Sequence, residues 1–133
     1  MRVADLMQTD VRTIAPEASI AILVESLADS HVSGLPVVNP AGTLVGVVSA
    51  TDVLQAAAEQ SDEKARTTLF EHMMVRDIMT SNPQTIEPDA DARQAAQHML
   101  YSEVRRLFVQ DRGKLVGVIS QTDIAHAVGT GRL

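Results

Sequence analysis

Residues Leu44–Asp52 read LVGVVSATD, and residues Leu115–Asp123, 71 positions on, read LVGVISQTD. Two of the nine positions differ, and one of those exchanges is Val for Ile. A phrase this long does not recur by accident in a short chain, and internal repeats govern the fold wherever they occur. The likeness extends upstream. Val3-x-Asp5-x-Met7 matches Val75-x-Asp77-x-Met79, and RTIAPEA (12–18) matches QTIEPDA (84–90), both at an offset of 72. SGLPVV (33–38) matches RRLFVQ (105–110) more loosely. One residue is lost between NPAGTLVG (39–46) and DRGKLVG (111–117), where a turn is expected and a slip is tolerated. The chain is thus two copies, 3–58 and 75–128, with 59–74 between them.

Local signals agree in both copies. VRTIAP and PQTIEP are short extended pieces closed by Pro16 and Pro88. Ile20, Leu23, Val24 and Leu27, like Ala92, Ala95, Ala96 and Met99, fall at helical spacing, with Ser19 and Asp91 as N-caps. A hairpin follows, turning at Asn39-Pro40-Ala41-Gly42 or Asp111-Arg112-Gly113. Its Val-rich strands lack alternation, which predicts strands covered on both faces. A second helix opens at SATD or SQTD. The order in each copy is β-α-β-β-α behind a short helical piece, an α/β fold. One copy of this size is marginal alone. Two copies can pack sheet to sheet about a pseudo-twofold axis.

Composition narrows the function. The 133 residues carry no Cys, which excludes disulfides and thiol chemistry. The net charge of −6, with no basic run, disfavours nucleic acid and membrane surfaces as partners. The N-terminus lacks a signal-type apolar core, and no window spans a bilayer, so a cytoplasmic location is expected. His31, His72, His98 and His126 do not make a ligand set with metal spacing. No nucleophile–base pair or G-x-x-x-x-G-K phosphate loop is present, so neither catalysis nor a required cofactor is expected. HMM at 72–74 reads as a packing patch.

The repeated phrase carries chemistry of its own. Gly46 and Gly117 lie in a strand, where a missing side chain permits close approach. Ser49 and Ser120 stand at the strand-to-helix junction, beside helix amides that favour anions. Asp52 and Asp123, in the first turn, can accept two hydrogen bonds from a vicinal diol. The same residue types are ordinary helix caps, and both roles can hold at once.

DLM, DIMTSNPQTIEPDA, GLPVV and the paired LVGVxSxTD resemble cystathionine-β-synthase (CBS) motifs, and the pair resembles a stand-alone Bateman module over nearly the whole chain. The resemblance implies a sensor of adenosine-containing ligands (AMP, ADP, ATP, S-adenosylmethionine, sometimes NAD) bound in clefts between the motifs. It implies ribose contacts from Asp52 and Asp123, and ribose or phosphate contacts from Ser49 and Ser120, with Thr51 and Thr122 beside them. It places the adenine edge at Thr13 and Thr85, near the backbone of Ile14 and Ile86. Arg105 and Arg106 match a basic position aimed at phosphate, and guanidinium forks suit that ligand. The first copy has Ser33-Gly34 there, with His31 slightly upstream, so the two sites are expected to be unequal. Phe108, in place of Pro36, is expected to narrow or floor the second cleft. The resemblance also implies a homodimer forming a disc of four motifs. With two residues before the first copy and five after the last helix, any output is expected to pass to a partner in trans, through a ligand-driven shift in cleft geometry.

Overall fold

The computed structural model describes residues 1–59 and 62–133. The chain forms two compact units, Arg12–Pro83 on the one hand and Met1–Val11 with Gln84–Leu133 on the other. The boundaries do not follow the repeats. Each unit takes its leading helical piece from the opposite copy.

In the Arg12–Pro83 unit, strand β1 (Gly34–Val38) pairs antiparallel with β2 (Leu44–Ser49), and Ile14 adds a parallel bridge to Val37. Helices α2 (Ile20–Ser30), α3 (Ala50–Ala58), α4 (Glu63–His72) and the single turn α5 (Val75–Ile78) complete it. Its core joins Ile14, Leu23, Leu27, Leu35, Val37, Val48 and Val75. The other unit holds the single turn α1 (Val3–Leu6) and a three-stranded sheet. Strand β3 (Thr85–Ile86) runs parallel to β4 (Arg106–Asp111), which pairs antiparallel with β5 (Lys114–Ser120). Helices α6 (Ala92–Ser102) and α7 (Gln121–Gly129) cover a core of Val3, Ala95, Met99, Leu107, Val109, Ile119 and Ile124.

The expected caps form. Ser19 Oγ accepts from Ile22 N at 3.1 Å, and Asp91 Oδ1 accepts from Arg93 N at 2.8 Å. Helical spacing holds with one change: Ile20, Leu23 and Leu27 are buried, while Val24 is 41% exposed. Strands β1 and β4 are buried along consecutive residues, as their lack of alternation predicts. Strands β2 and β5 alternate instead between buried and half-buried positions. The second hairpin turns on Arg112 (φ 54°) and Gly113 (φ 81°), the two left-handed residues of a tight two-residue loop. The first uses one more residue, and Asn39 Oδ1 accepts from both Ala41 N and Thr43 N. That is the origin of the slip in offset. Helix α4 lies in the connecting segment, for which the repeats imply no structure.

The motif Val-x-Asp-x-Met explains itself residue by residue. Val3 and Val75 are fully buried. Asp5 and Asp77 accept from the backbone N–H of Arg2 and Met74 at 2.9 Å each, capping a one-turn helix. The helix's own leading N–H groups are satisfied by the TI-x-P-x-A segment: Val3 and Ala4 donate to Ala90 O and Pro88 O, and Val75 and Arg76 donate to Ala18 O and Pro16 O. The methionines then seat on the glycines of the repeated phrase. A Cβ on Gly117 would lie 2.7 Å from Gln8 O and 2.8 Å from Met7 Sδ. On Gly46 it would lie 2.8 Å from both Thr80 O and Met79 Sδ. The close approach predicted at these glycines is therefore made by the leading segment of the other repeat.

Candidate ligand-binding site

The Gln84–Leu133 portion gathers the candidates of the second repeat at one end of its sheet. Thr85 on β3 pairs with Phe108 on β4, and Phe108 pairs with Val118 on β5. Two positions along, Arg106 pairs with Ser120. Side chains of directly paired residues, and of residues two apart on a strand, share a face. Thr85, Arg106, Phe108, Val118 and Ser120 thus line one face, and Leu107, Val109 and Ile119 fill the core on the other. Ile86 packs at the edge of that core. The Arg106 guanidinium carbon sits 5.9 Å from the Phe108 ring centroid, which orients the cation over this face. Arg105 is exposed, and its carbonyl accepts from Gln121 N at 2.9 Å, tying the start of β4 to the start of α7.

At the N-terminus of α7, Ser120 and Asp123 form a reciprocal cap. Ser120 N donates to Asp123 Oδ2 at 2.9 Å, and Asp123 N donates to Ser120 Oγ at 3.1 Å. Thr122 is exposed between them. The cap and the candidate site are one structure, because the residues that start the helix also present a carboxylate and a hydroxyl beside its first amides.

The first-repeat unit builds the same frame with different furniture. Ser49 N donates to Asp52 Oδ2 at 2.8 Å, and Asp52 N donates to Ser49 Oγ at 3.3 Å. Ala50 N donates to Ser33 O, the equivalent of the Gln121–Arg105 tie. Ser49 pairs with Gly34, and Pro36 pairs with Val47, so Gly34 and Pro36 stand where Arg106 and Phe108 stand in the second copy. Ile14 N donates to Pro36 O, and Val38 N donates to Ile14 O. Thr13 and Thr51 are exposed. His31 closes α2 in the left-handed region (φ 54°), and its N–H turns back to Ala28 and Leu27 carbonyls. It sits at a helix end rather than on the strand that carries Gly34. On this face the two repeats thus differ at two paired positions, Gly34 against Arg106 and Pro36 against Phe108.

Three polar residues escaped the sequence reading. Gln8 Nε2 donates to Asp123 Oδ1 at 3.1 Å, and Gln110 Nε2 donates to Thr85 Oγ at 3.1 Å. Their equivalents at the offset of 72 are Thr80 and Val38, so the repeat comparison carries the difference. Arg12 Nη1 donates to Ser30 Oγ at 2.7 Å, next to Thr13. Among the described residues, no three His, Asp or Glu side chains converge as a metal ion requires, and no helix is long and apolar enough to cross a membrane.

Comparison with known proteins gives this arrangement a family. The CBS domain model matches residues 3–59 and again 75–130. The crystal structure of CBSX2 in complex with AMP superposes with a TM-score of 0.82 at 30% identity, covering 99% of this chain and 98% of that one. CBSX2 is an Arabidopsis thaliana CBS-pair protein. Protein MJ1225 of Methanocaldococcus jannaschii is 27% identical over 128 residues, which are 96% of this chain and 43% of that protein. A homoserine O-acetyltransferase of Methanococcoides burtonii is 32% identical over 96% of this chain, which spans 24% of that enzyme's length. With two matches to one family model, and a fold shared end to end with a CBS-pair protein, the chain belongs to the CBS-domain family.

Proposed function

We propose that this protein is a non-catalytic regulatory module, a Bateman module of motifs 3–58 and 75–128 joined by 59–74. It binds an adenosine-type ligand and acts on a partner protein in trans. The observation that carries the reading is the twice-built junction, in which a Ser and an Asp cap each other where a strand enters a helix, with Thr85 on the same sheet face in the second repeat. In the second repeat, two arginines join that end. The AMP complex of CBSX2, at 30% identity, supports the same ligand class. In this reading Asp52 and Asp123 receive ribose hydroxyls, Ser49 and Ser120 with Thr51 and Thr122 line the ribose and first phosphate, and Thr13 and Thr85 with the backbone at Ile14 and Ile86 meet the adenine. Arg105 and Arg106 give the second site its preference for phosphate (AMP, ADP or ATP). The first site, with His31 as its nearest candidate base, suits a less charged ligand such as S-adenosylmethionine.

A homodimer fits the same reading. Leu100, 72% exposed on α6, lines a mostly apolar groove of about 270 Å³ with Ala96, Met99, Gln121, Ile124 and Ala125, and the next residue, Tyr101, is 92% exposed. A second copy would cover this surface. The expected setting is the cytoplasm.

A second reading has one observation in its favour: both Ser–Asp pairs are complete capping boxes, which explains the repeated residues without a ligand. The chain would then be an interaction module with vestigial sites. Thermal unfolding with AMP, ADP, ATP and S-adenosylmethionine separates the two. A ligand that binds the native state at 100 times its Kd stabilises by about 2.7 kcal/mol. The regulatory reading predicts a rise in Tm with at least one ligand that Asp123→Asn loses, each variant being compared with its own ligand-free Tm. Asn keeps the capping oxygen, so loss of the shift reports the ligand. No rise with any of the four favours the interaction module.

A further inference from the structure

The two carboxylates at the helix starts are not equally open. Asp52 and Asp123 each give Oδ2 to the N–H of their capping serine. Asp123 gives Oδ1 as well, to the side-chain amide of Gln8 at 3.1 Å. Gln8 is held there by its backbone, with its N–H donating to Val118 O at 2.8 Å and its carbonyl accepting from Val118 N at 2.9 Å. Thr80 makes the same two backbone bonds to Val47, at 2.8 and 2.9 Å. The residue after the leading methionine is therefore fixed in one place in both units, and only the side chain differs. Among the described residues, every hydrogen bond made by the Asp52 carboxylate goes to Ser49.

We infer that Gln8 sets the affinity of the second site by occupying the Asp123 oxygen that a ligand's diol needs, and that Thr80 leaves the first site open at the same place. This rests on the reading of Asp52 and Asp123 as diol acceptors. A carboxylate has about four acceptor positions, and a vicinal diol needs two of them on one accessible side. At Asp123 the cap and the Gln8 amide take one position on each oxygen, whereas at Asp52 both bonds fall on Oδ2, so hydroxyls that seek both positions of the oxygen outside the cap have to displace Gln8 Nε2. At Asp52 they meet an oxygen outside the cap. The same exchange links ligand to chain. Gln8 belongs to the leading segment of the first repeat, and a ligand that frees its amide loosens the contact between that segment and α7.

The test uses each repeat as the template for the other. Gln8→Thr and Thr80→Gln install residues that the fold already accepts at the equivalent position. The full chain carrying Asp52→Asn, which silences the first site, is titrated with AMP and with ATP by calorimetry, with and without Gln8→Thr. The chain carrying Asp123→Asn is titrated with S-adenosylmethionine and with AMP, with and without Thr80→Gln. Gln8→Thr is expected to tighten binding about threefold to tenfold, the range set by one partly exposed hydrogen bond, and Thr80→Gln to weaken it by a similar factor. Equal or weaker binding in Gln8→Thr, where the wild-type chain binds, overturns the inference and leaves the proposed function standing. Absence of binding in the wild-type chain and in every variant overturns both.

Discussion

Single residues carry two loads in this chain. Gly117 is a strand residue whose missing side chain admits Gln8 O and Met7 Sδ, and Asp123 is a helix cap to which the proposed function adds a ligand contact. Gly117→Ala puts a methyl group 2.7 Å from a backbone carbonyl, so backbone must move. Overpacking of this kind costs about 1–3 kcal/mol, and denaturant unfolding of the variant should show a loss in that range with little change in slope. Ser120→Ala removes the Oγ that accepts from Asp123 N and should cost about 1 kcal/mol in the same assay. The glycines, the caps and the Ser-x-Thr-Asp junctions were legible in the sequence because each follows from a local rule acting on adjacent residues. Gln8 was not. Its partner is 115 positions away, and nothing local to MQTD shows that its amide meets a carboxylate on the last helix.

Elements repeat the lesson at longer range. The matched helices α2 and α6 were readable from apolar spacing and their N-caps, and their ends were not. Both stop on a non-glycine residue in the left-handed region, His31 at φ 54° and Glu103 at φ 57°. The usual glycine signal is missing from both. Glu103 lies outside the candidate site, and its left-handed backbone disfavours a side chain. Glu103→Gly should raise stability by about 0.5–1 kcal/mol, read as an increased Tm without ligand. Helix α4 was equally illegible. It occupies the one segment without a second copy for comparison, and its residues EKARTTLFEH offer few apolar positions for a periodic stripe.

At the scale of the molecule, the repeat identifies equivalent residues but not the copy on which each one packs. The chain changes unit after Val11 and again after Pro83, so each one-turn helix seats on the hairpin of the other repeat. The bridges responsible are single pairs, Gln8 with Val118 and Val47 with Thr80, too short to leave a pattern in the sequence. Deleting residues 1–11 removes fully buried Val3 from the core of the Gln84–Leu133 portion and uncovers Gly117. Loss of that one side chain is worth about 1.5–3 kcal/mol, and hydrogen exchange should accelerate in β5 and α7 well before it does in β1 and β2. The central claim, that an adenosine ligand binds at the helix-start carboxylates, is tested most directly by titrating AMP into isotope-labelled protein and following backbone amide signals. The expected result is a saturable shift at Thr85, Arg106 and Ser120–Asp123 that is absent in Asp123→Asn. Saturation without movement of those amides, or no response anywhere at millimolar AMP, would contradict it.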